Sequence, residues 1–375
     1  MNVCLVTSSY PANPNDVAAP FAADLARALQ RRGHRVVVVA PERKGVEVSA
    51  DGVPVSWIPR HGAGKALVQT QVTSPVDMWN AWRLVRAGER LLLDTVREQS
   101  IDVMFALWAV PAGYMAWRVH RRTRVPYAVW ALGSDINSVA RYPLARSLVR
   151  TILRNARWRF ANSHRLAERV AALSGADCEF LPATRTLPPP PSQVQLAGRV
   201  RFLFIGRFER VKGVDVLVEA FAQLGDLEGL HLYLLGGGSL VPQIRTKIAS
   251  SRLEDCVTIV PPSPTEVVAA YLRACDCLVI PSRQESLPVV FSEAVQSGTP
   301  VLVTDAGDLG RLAAEHGLMS PVPPGDAAAL AAALRAFAAD PAAWRRRFDD
   351  ARPRLLELFD IDAGADRLLT AFARA

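Results

Sequence analysis

Short runs of apolar, often β-branched residues alternate with amphipathic stretches along the first half of the chain. The apolar runs at residues 2–7 and 35–40 predict buried strands, and residues 103–107 and 127–132 predict two more. Apolar side chains at helical spacing in residues 17–31 and 79–98 predict helices between them. Strand and helix therefore alternate, as they do in a parallel sheet covered by helices on both faces.

The second half of the chain repeats this alternation. Its predicted strands are residues 201–205, 231–235, 257–260, 277–280 and 300–304, and its predicted helices are residues 214–223, 240–250, 265–274 and 289–297. Three further helices are expected at residues 326–338, 341–358 and 363–373. The pattern predicts an α/β protein with two Rossmann-like, doubly wound domains that face each other across a cleft.

Residues 181–195 (LPATRTLPPPPSQVQ) separate the two halves. Four consecutive prolines cannot join a helix or a central strand, so this stretch predicts an extended connector. We therefore expect an N-terminal domain at residues 1–190, a second domain at 191–355, and terminal helices at 356–375 that pack back toward the first domain.

The charge of the chain is divided unevenly. Of 375 residues, the first 195 carry 25 Lys and Arg against 14 Asp and Glu, or +11, whereas the remainder carries −3. An excess on one domain suggests an anionic partner such as nucleic acid or an acidic membrane. No known nucleic-acid-binding motif accompanies the charge, so we expect no nucleic-acid partner.

A basic amphipathic helix is predicted at residues 141–159. Arg146, Arg150, Arg154 and Arg157 recur at helical spacing on one side, and leucine, valine and isoleucine occupy the other. Such a helix fits peripheral contact with anionic lipid, and Trp79 and Trp82 could anchor at the interface. The alternative is an ordinary helix with one packed face.

Several classes of protein are disfavoured by the sequence. No apolar run is long enough to span a bilayer, and the N-terminus resembles a strand, not a signal peptide. Five cysteines predict small core residues in a reducing, cytoplasmic compartment. The histidines lack metal-ligand spacing, the sole Asp-x-Asp (Asp360 to Asp362) resembles a helix cap, and Walker A, G-x-S-x-G and G-x-G-x-x-G motifs are absent. We expect neither a metal nor a cofactor.

The first candidate site residues follow the strand predicted at residues 201–205. In GRFERVKG, Gly206 permits a tight exit from the strand, and Arg207 and Lys212 come from the loop before a helix. Two cations beside a helix N-terminus suit a diphosphate, because they add charge-assisted hydrogen bonds to free backbone N–H groups. A solvated basic loop is the alternative.

The second candidate segment is PSRQESLPVVFSEA, at residues 281–294. Glu285 lies in a loop, and Glu293 follows eight residues later on the next predicted helix. Carboxylates so placed can accept hydrogen bonds from vicinal hydroxyls, of a sugar ring and of a ribose respectively. The alternative is one exposed acid and one acid on a helix surface.

Together these segments resemble the paired signature of glycosyltransferase family 4, the group-1 retaining enzymes of the GT-B fold. Residues 285–293 resemble its E-x7-E motif, and Ser297 to Val301 resemble the strand that follows it. The resemblance implies that Arg207 and Lys212 bind the donor diphosphate, Glu285 the transferred sugar and Glu293 the ribose. It further implies donor-site roles for the following residues: Gly206, Gly236 to Gly238 including Gly237, Val260 to Ser263, Ser286, Leu287, Pro288, Val289 and Val290.

In the first domain, Gly133-Ser134-Asp135 resembles the family's His-Gly-x-Asp segment, with Leu132 in the histidine position. The resemblance makes Asp135 a candidate for orienting the acceptor or the sugar, and a capping aspartate is the alternative. The family's glycine-rich first loop is here residues 11–21, which contain no glycine. Residues 305–311 (DAGDLGR) replace its Gly-Gly-x-x-Glu pattern.

The resemblance implies a retaining, metal-independent transferase that moves sugar from a UDP- or GDP-sugar to a glycan or lipid-linked acceptor. Cell-envelope or exopolysaccharide synthesis, at the inner face of the membrane, is the expected setting. In such a mechanism the leaving diphosphate takes the proton of the acceptor. Two alternatives remain: a nucleotide-sugar epimerase of the same fold, and a non-catalytic module that binds sugar nucleotides or membranes.

Overall fold

The computed structural model describes residues 1–13, 16, 18–43, 52–59, 75–189, 194–318 and 320–374. The chain folds into two compact units. The first comprises Met1–Ala183 and Ile361–Ala375, and the second comprises Thr184–Asp360. The division thus falls before the boundary expected at residue 190, and the expected terminal segment 356–375 is shared between the units. Residues 190–193 of the predicted connector lie outside the described residues.

The first unit is built on a seven-stranded sheet in which every pairing is parallel, in the order β3-β2-β1-β4-β5-β6-β7. Its strands are β1 Asn2–Thr7, β2 Arg35–Pro41, β3 Val55–Ile58, β4 Val103–Leu107, β5 Tyr127–Ala131, β6 Trp158–Ala161 and β7 Glu179–Phe180. Val3 is in register with Val36 on one side and Val103 on the other. Burial on both faces explains the unbroken apolar runs of the central strands.

Among the residues that the structure describes, six α-helices connect these strands. They are α1 Pro20–Arg31, α2 Pro75–Glu98, α3 Tyr114–Thr123, α4 Ser134–Asn137, α5 Pro143–Asn155 and α6 His164–Ser174. Helix α1 begins at Pro20, three residues later than predicted, because proline lacks an N–H and suits the first turn. Side chains of α2, α3, α5 and α6 share one hydrophobic core that includes Leu92, Val119, Ile152 and Val170.

The predicted helix at 141–159 is too long at both ends, because α5 begins at Pro143 after the extended Tyr142. Helix α5 ends at Asn155 and the chain enters β6 at Trp158, so Arg157 is not part of the helical face. Its guanidinium lies over the Trp158 ring instead, 5.1 Å from the centroid. The prediction failed because Trp158–Ala161 is an apolar run too short to be distinguished from a continuing helix.

The second unit has a five-stranded sheet, again with parallel pairings throughout, in the order β10-β9-β8-β11-β12. Its strands are β8 Val200–Arg207, β9 Leu230–Gly237, β10 Val257–Val260, β11 Cys277–Ile280 and β12 Val301–Val303. From β8 the chain first builds outward through β9 and β10, then crosses over to β11 and β12. The carboxyl ends of β8 and β11 therefore flank a topological switch point, where open α/β sheets bind ligands.

The α-helices described in this unit are α7 Val214–Ala222, α8 Val241–Ser250, α9 Thr265–Ala274, α10 Val289–Ser297, α11 Leu309–Glu315, α12 Ala327–Ala339 and α13 Pro341–Leu358. Aromatic rings fill the core, where Phe337 of α12 packs edge-on against Phe202 of β8 and Trp344 of α13. Asp326 and Asp340 cap α12 and α13 by accepting hydrogen bonds from backbone N–H groups.

The last helix, α14 Ile361–Ala373, belongs to the first unit. Phe372 packs between Trp158 and Phe105, with centroid distances of 5.0 and 6.0 Å. At its other end, the guanidinium of Arg32, which follows α1 directly, pairs with Asp362 and Asp366. Hydrogen bonds from Arg32 hold the pKa of both carboxyls below the ordinary value. Asp362 thus serves as an ion-pair partner for α1.

Candidate functional site

Two loops meet at the carboxyl edge of the second sheet, one after β8 and one after β11. Gly213 has a φ of +69°, and a Cβ built there would lie 1.9 Å from the carbonyl oxygen of Pro281. Only glycine allows the two backbones to approach so closely. The backbone N–H of Arg283 donates to the Val211 carbonyl at 2.9 Å, and its guanidinium binds Asp215 through both terminal nitrogens at 2.6 and 2.9 Å. The two predicted segments are thereby fixed side by side.

Lys212 and Glu285 form an ion pair across these loops, between Nζ and Oε2. The Ser282 hydroxyl lies 3.4 Å from the same carboxylate oxygen, and the Ser286 N–H donates to Oε1 at 3.3 Å. The Glu285 side chain is 12% exposed and that of Lys212 is 24% exposed. Glu285 is thus part-buried and paired, so the alternative of a simply exposed acid is wrong.

Arg207 ends β8 and its side chain is exposed. Nearby, Glu209 accepts hydrogen bonds from the Ser239 hydroxyl at 2.7 Å and from the Ser239 N–H at 3.2 Å. These bonds, with a smaller contribution from Arg207, hold the pKa of Glu209 below its ordinary value. Glu209 was not predicted as a site residue. Only the pairing of β8 with β9 could have pointed to it, because that pairing brings together the loops that follow the two strands.

The glycines after β9 pack against the loop that follows β8. Gly206 and Gly236 are in register, and a Cβ on Gly236 would lie 1.9 Å from the Gly206 oxygen. Gly238 has a φ of +155°, and its Cβ would meet the Phe208 oxygen at 2.7 Å. Gly237 lies next to Pro262 after β10. The predicted donor-pocket segments 236–238 and 260–263 are thus adjacent, with little side-chain bulk between them.

Glu293 lies on α10 and is buried, with 5% of its surface exposed. Its Oε1 is 2.9 Å from Nε of Arg185, whose side chain is also buried. The alternative of a surface acid on this helix is therefore wrong. Sequence reasoning missed Arg185, because it stands in the connector beside prolines and belongs to no motif.

Buried side chains and a third loop support the start of α10. Ser286, Leu287 and Pro288 are buried and Val289 is half-buried, at the first turn where helical N–H groups lack intrahelical partners. Residues 305–311 pack here: the Asp308 N–H donates to the Ser286 oxygen at 3.0 Å. Gly307, at a φ of +61°, would place a Cβ 2.3 Å from the same oxygen.

Asp135 lies in the first unit, 2% exposed. Its Oδ2 accepts from the Ala109 N–H at 2.7 Å and its Oδ1 accepts from the Gly133 N–H at 3.1 Å. Burial raises the pKa of this carboxyl, and the backbone hydrogen bonds act against the rise. The carboxylate therefore ties the loop after β4 to the loop after β5, and its role in orienting a substrate stays a prediction.

Exposed cationic and apolar side chains occur on α2 and α5 of the first unit. Arg146, Arg150 and Arg154 of α5 are exposed, and beside them Leu144 is 89% exposed. On α2, Trp79 and Trp82 stack with centroids 4.9 Å apart and are 57% and 51% exposed. Both helices contact α3. Cations and large apolar side chains thus occur together on one unit.

The part of the chain that the structure describes offers neither a membrane-spanning helix nor a metal site. It contains no helix with the length and apolarity needed to cross a bilayer. It also contains no group of three or more His, Cys, Asp or Glu side chains arranged to hold a metal ion.

Comparison with known families identifies the class. Residues 199–340 match the family described as Glycosyl transferases group 1, and residues 18–187 match the Glycosyl transferase 4-like domain. These matches together span most of the chain, which belongs to the group-1 glycosyltransferases. The predicted α/β fold with two Rossmann-like domains is confirmed as well.

Individual proteins agree with this assignment. A glycosyltransferase assigned to teichuronic acid biosynthesis, TuaC of Bacillus subtilis, is 24% identical over 365 residues, which cover 90% of this chain and 89% of TuaC. Among solved structures, sucrose-phosphate synthase from Thermosynechococcus elongatus superposes with a TM-score of 0.80 at 20% identity, covering 100% of this chain and 98% of that one. Anabaena HepE in complex with UDP-glucose has a TM-score of 0.75 at 17% identity, with both chains covered completely.

Proposed function

We propose that this enzyme transfers a sugar from a nucleotide-sugar donor to a glycan or lipid-linked acceptor, with retention of the anomeric configuration. The observation that carries the proposal is the pairing of Lys212 with Glu285 at the switch point of the second sheet, in the loops that follow β8, which ends at Arg207, and β11. Cations for a diphosphate and an acceptor for sugar hydroxyls are brought together there by loops that glycine packing fixes in place.

The roles of the donor-site residues follow from their chemistry. Arg207 and Lys212 bind the diphosphate, and the first N–H groups of α10 add hydrogen-bond donors with a favourable helix dipole. Glu285 accepts hydrogen bonds from hydroxyls of the transferred sugar, and Glu293 from the ribose. A donor phosphate competes with Glu285 for Lys212, so binding of the donor weakens the ion pair and leaves the carboxylate for the sugar.

In the reaction, the acceptor hydroxyl oxygen forms a bond to the anomeric carbon as the bond from that carbon to the phosphate oxygen breaks. The hydroxyl proton passes to the departing diphosphate on the same face of the sugar. Negative charge develops on the diphosphate, and Arg207 and Lys212 stabilise it. No protein nucleophile is required.

The nucleotide and the setting are supported by relatives. HepE forms complexes with UDP and UDP-glucose, which favours a UDP-sugar here, and GDP-sugars are the second choice. TuaC is assigned to teichuronic acid biosynthesis, which favours a product of the cell envelope or an extracellular polysaccharide.

We further propose that the first unit binds the acceptor and contacts anionic lipid from the cytoplasmic side. Exposed Leu144, Trp79 and Trp82 supply apolar side chains for the interface, and Arg146 and Arg150 supply charge. Each arginine near an anionic surface contributes about 1 kcal/mol. A lipid-linked acceptor would be presented at this same surface.

The donor site is tested by titrating the purified protein calorimetrically with UDP, GDP, ADP and their sugars. We expect saturable binding of one nucleotide, which Lys212→Ala and Glu293→Ala each weaken by about tenfold or more, since each removes a charged hydrogen-bonding partner. Lys247→Ala is the matched control, because Lys247 forms an exposed ion pair with Glu219 in the same unit. Unchanged binding in both donor-site variants would refute the assignment.

Product analysis separates transfer from epimerisation, which would alter the donor sugar without an acceptor.

Lipid contact is tested by sedimentation with anionic and neutral vesicles. We expect binding only to the anionic ones, lost in Arg146→Glu/Arg150→Glu and kept in Arg245→Glu/Arg346→Glu, whose arginines are exposed on the second unit. Equal losses in both double variants would show a general charge effect.

A further inference from the structure

Arg185 is held on helix α10 by contacts of both its side chain and its backbone. Its Nε lies 2.9 Å from Oε1 of Glu293, and its carbonyl oxygen accepts a hydrogen bond from the side-chain amide of Gln296. The oxygen of that amide accepts from the Leu187 N–H at 3.0 Å. Glu293 and Gln296 are three residues apart and so share one face of the helix. The segment that carries Arg185 is therefore fixed against the helix that carries the proposed ribose ligand.

The ion pair is buried on both sides, with 9% of the Arg185 side chain and 6% of the Glu293 side chain exposed. A buried pair contributes little to stability, because the cost of removing both charges from water offsets their attraction. The pairing is also incomplete: Nε, despite its short distance to Oε1, and Nη2 of Arg185 are both buried without a well-formed hydrogen bond among the described residues. A buried donor without an acceptor is unfavourable. Folding alone is therefore a poor explanation for this arginine.

A ribose hydroxyl can donate its O–H to a carboxylate oxygen. For that bond the carboxylate must be held in one orientation, and a guanidinium beside it both fixes the orientation and neutralises the buried charge. Arg185 supplies that guanidinium to Glu293.

We propose that Arg185 is a positioning residue for nucleotide binding: its ion pair holds the Glu293 carboxylate in the orientation in which it accepts hydrogen bonds from the ribose hydroxyls. This inference rests on the proposed donor site and assigns part of it to a residue outside the family motifs. It also explains why Gln296 binds the backbone on both sides of Thr186. That anchorage fixes the guanidinium before the nucleotide arrives.

The test combines substitutions of Arg185 with nucleotides that lack one ribose hydroxyl, and compares the affinities of all the pairs. Affinities for UDP, 2′-deoxy-UDP and 3′-deoxy-UDP are measured with the full chain, or for the guanosine series if GDP is the nucleotide bound. The wild type should bind the ribonucleotide about tenfold more tightly than at least one deoxy form, as expected for a hydrogen bond to a charged group. In Arg185→Gln that ratio should fall toward one, and Arg185→Lys should restore part of it.

Arg201→Gln is the matched control. Arg201 forms an ion pair with Asp276 in the same unit, at 2.9 Å, where β8 begins and thus at the opposite edge of the sheet from the donor site. This variant should keep the wild-type ratio. Thermal unfolding shows whether Arg185→Gln folds. If it does not, the affinity ratio of Arg185→Lys is the test, because this variant keeps the charge of the side chain and changes its geometry.

The outcomes separate the two proposals. Equal losses of affinity for ribo- and deoxynucleotides in the Arg185 variants, or no loss at all, would overturn the positioning role and leave the donor site standing. No binding of any nucleotide by the wild type would overturn the donor site itself.

Discussion

The two units share one architecture but use charge differently at the carboxyl ends of their strands. In the second unit, Lys212 pairs with Glu285 and Arg283 pairs with Asp215, so opposite charges meet where the loop after β11 adjoins the loop after β8 and the start of α7. In the first unit, both oxygens of Asp135 accept hydrogen bonds from backbone N–H groups. Exposed arginines of this unit lie on α5. The proposed function therefore assigns the small anionic donor to the second unit and an extended partner to the first.

The largest effect is expected when a side chain is added at Gly213 of the second unit, where the backbone of Pro281 leaves no room for one. In Gly213→Ala the new Cβ would meet the Pro281 backbone at 1.9 Å, and the φ of +69° is itself unfavourable. We expect a loss of about 3 kcal/mol in the free energy of unfolding and the loss of nucleotide binding. Urea unfolding and calorimetry measure the two.

Gly225→Ala is the control for that change. Gly225 has a φ of +80° but no atom within 4 Å of the site of a Cβ. It should cost about 1 kcal/mol, from the backbone conformation alone, and leave binding intact. If the two variants behave alike, close packing of the loops does not build the site.

A smaller effect is expected in the first unit from Asp135→Ala. It leaves the Ala109 and Gly133 N–H groups buried without their acceptor, which costs about 2 kcal/mol. Hydrogen exchange should increase in the loops after β4 and β5, and nucleotide affinity should stay unchanged. A fall in nucleotide affinity at constant stability would show that Asp135 acts in the donor site and that its carboxylate does more than bind the backbone of the first unit.

The smallest effect concerns pH and the docking of α14. Because the pKa values of Asp362 and Asp366 are lowered in the folded state, their stabilisation is present above the ordinary carboxyl range, near pH 4. It is lost as the pH falls from there through the lowered values. The carboxylates are about half exposed, so we expect less than about 1 kcal/mol.

Hydrogen exchange of α14 between pH 6 and pH 3 measures this change. Asp362→Asn/Asp366→Asn should exchange faster at pH 6 and show a weaker dependence on pH. The same pH dependence in the double variant and in the wild type would mean that other carboxyl groups control the docking.

Prediction from sequence succeeded where a long pattern or a compact motif carried the information. Nine of the twelve described strands were predicted from apolar runs, and residues 206–213 and 281–294 from the spacing of their glycine and charged residues. Strands β3, β6 and β7 were not predicted, because each has only two to four residues and one of them is polar. The end of α5 was missed for the same reason, since Arg159 lies within β6.

The donor-site geometry was only partly accessible from the sequence. Lys212 and Glu285 were each expected at the site, but their mutual pairing depends on which loops adjoin, and strand order decides that. Arg185 could not be found at all, since its partner lies more than a hundred residues away and no local pattern marks it. Contacts of this kind become visible only when the fold is known.

The position of α14 has a consequence for how the chain is made. The core of the first unit includes Phe372, which is synthesised after every residue of the second unit. The second unit is continuous in sequence and can fold as soon as it leaves the ribosome, whereas the first must wait with an aromatic surface uncovered. Although it comes first in the chain, the first unit is the last to be completed.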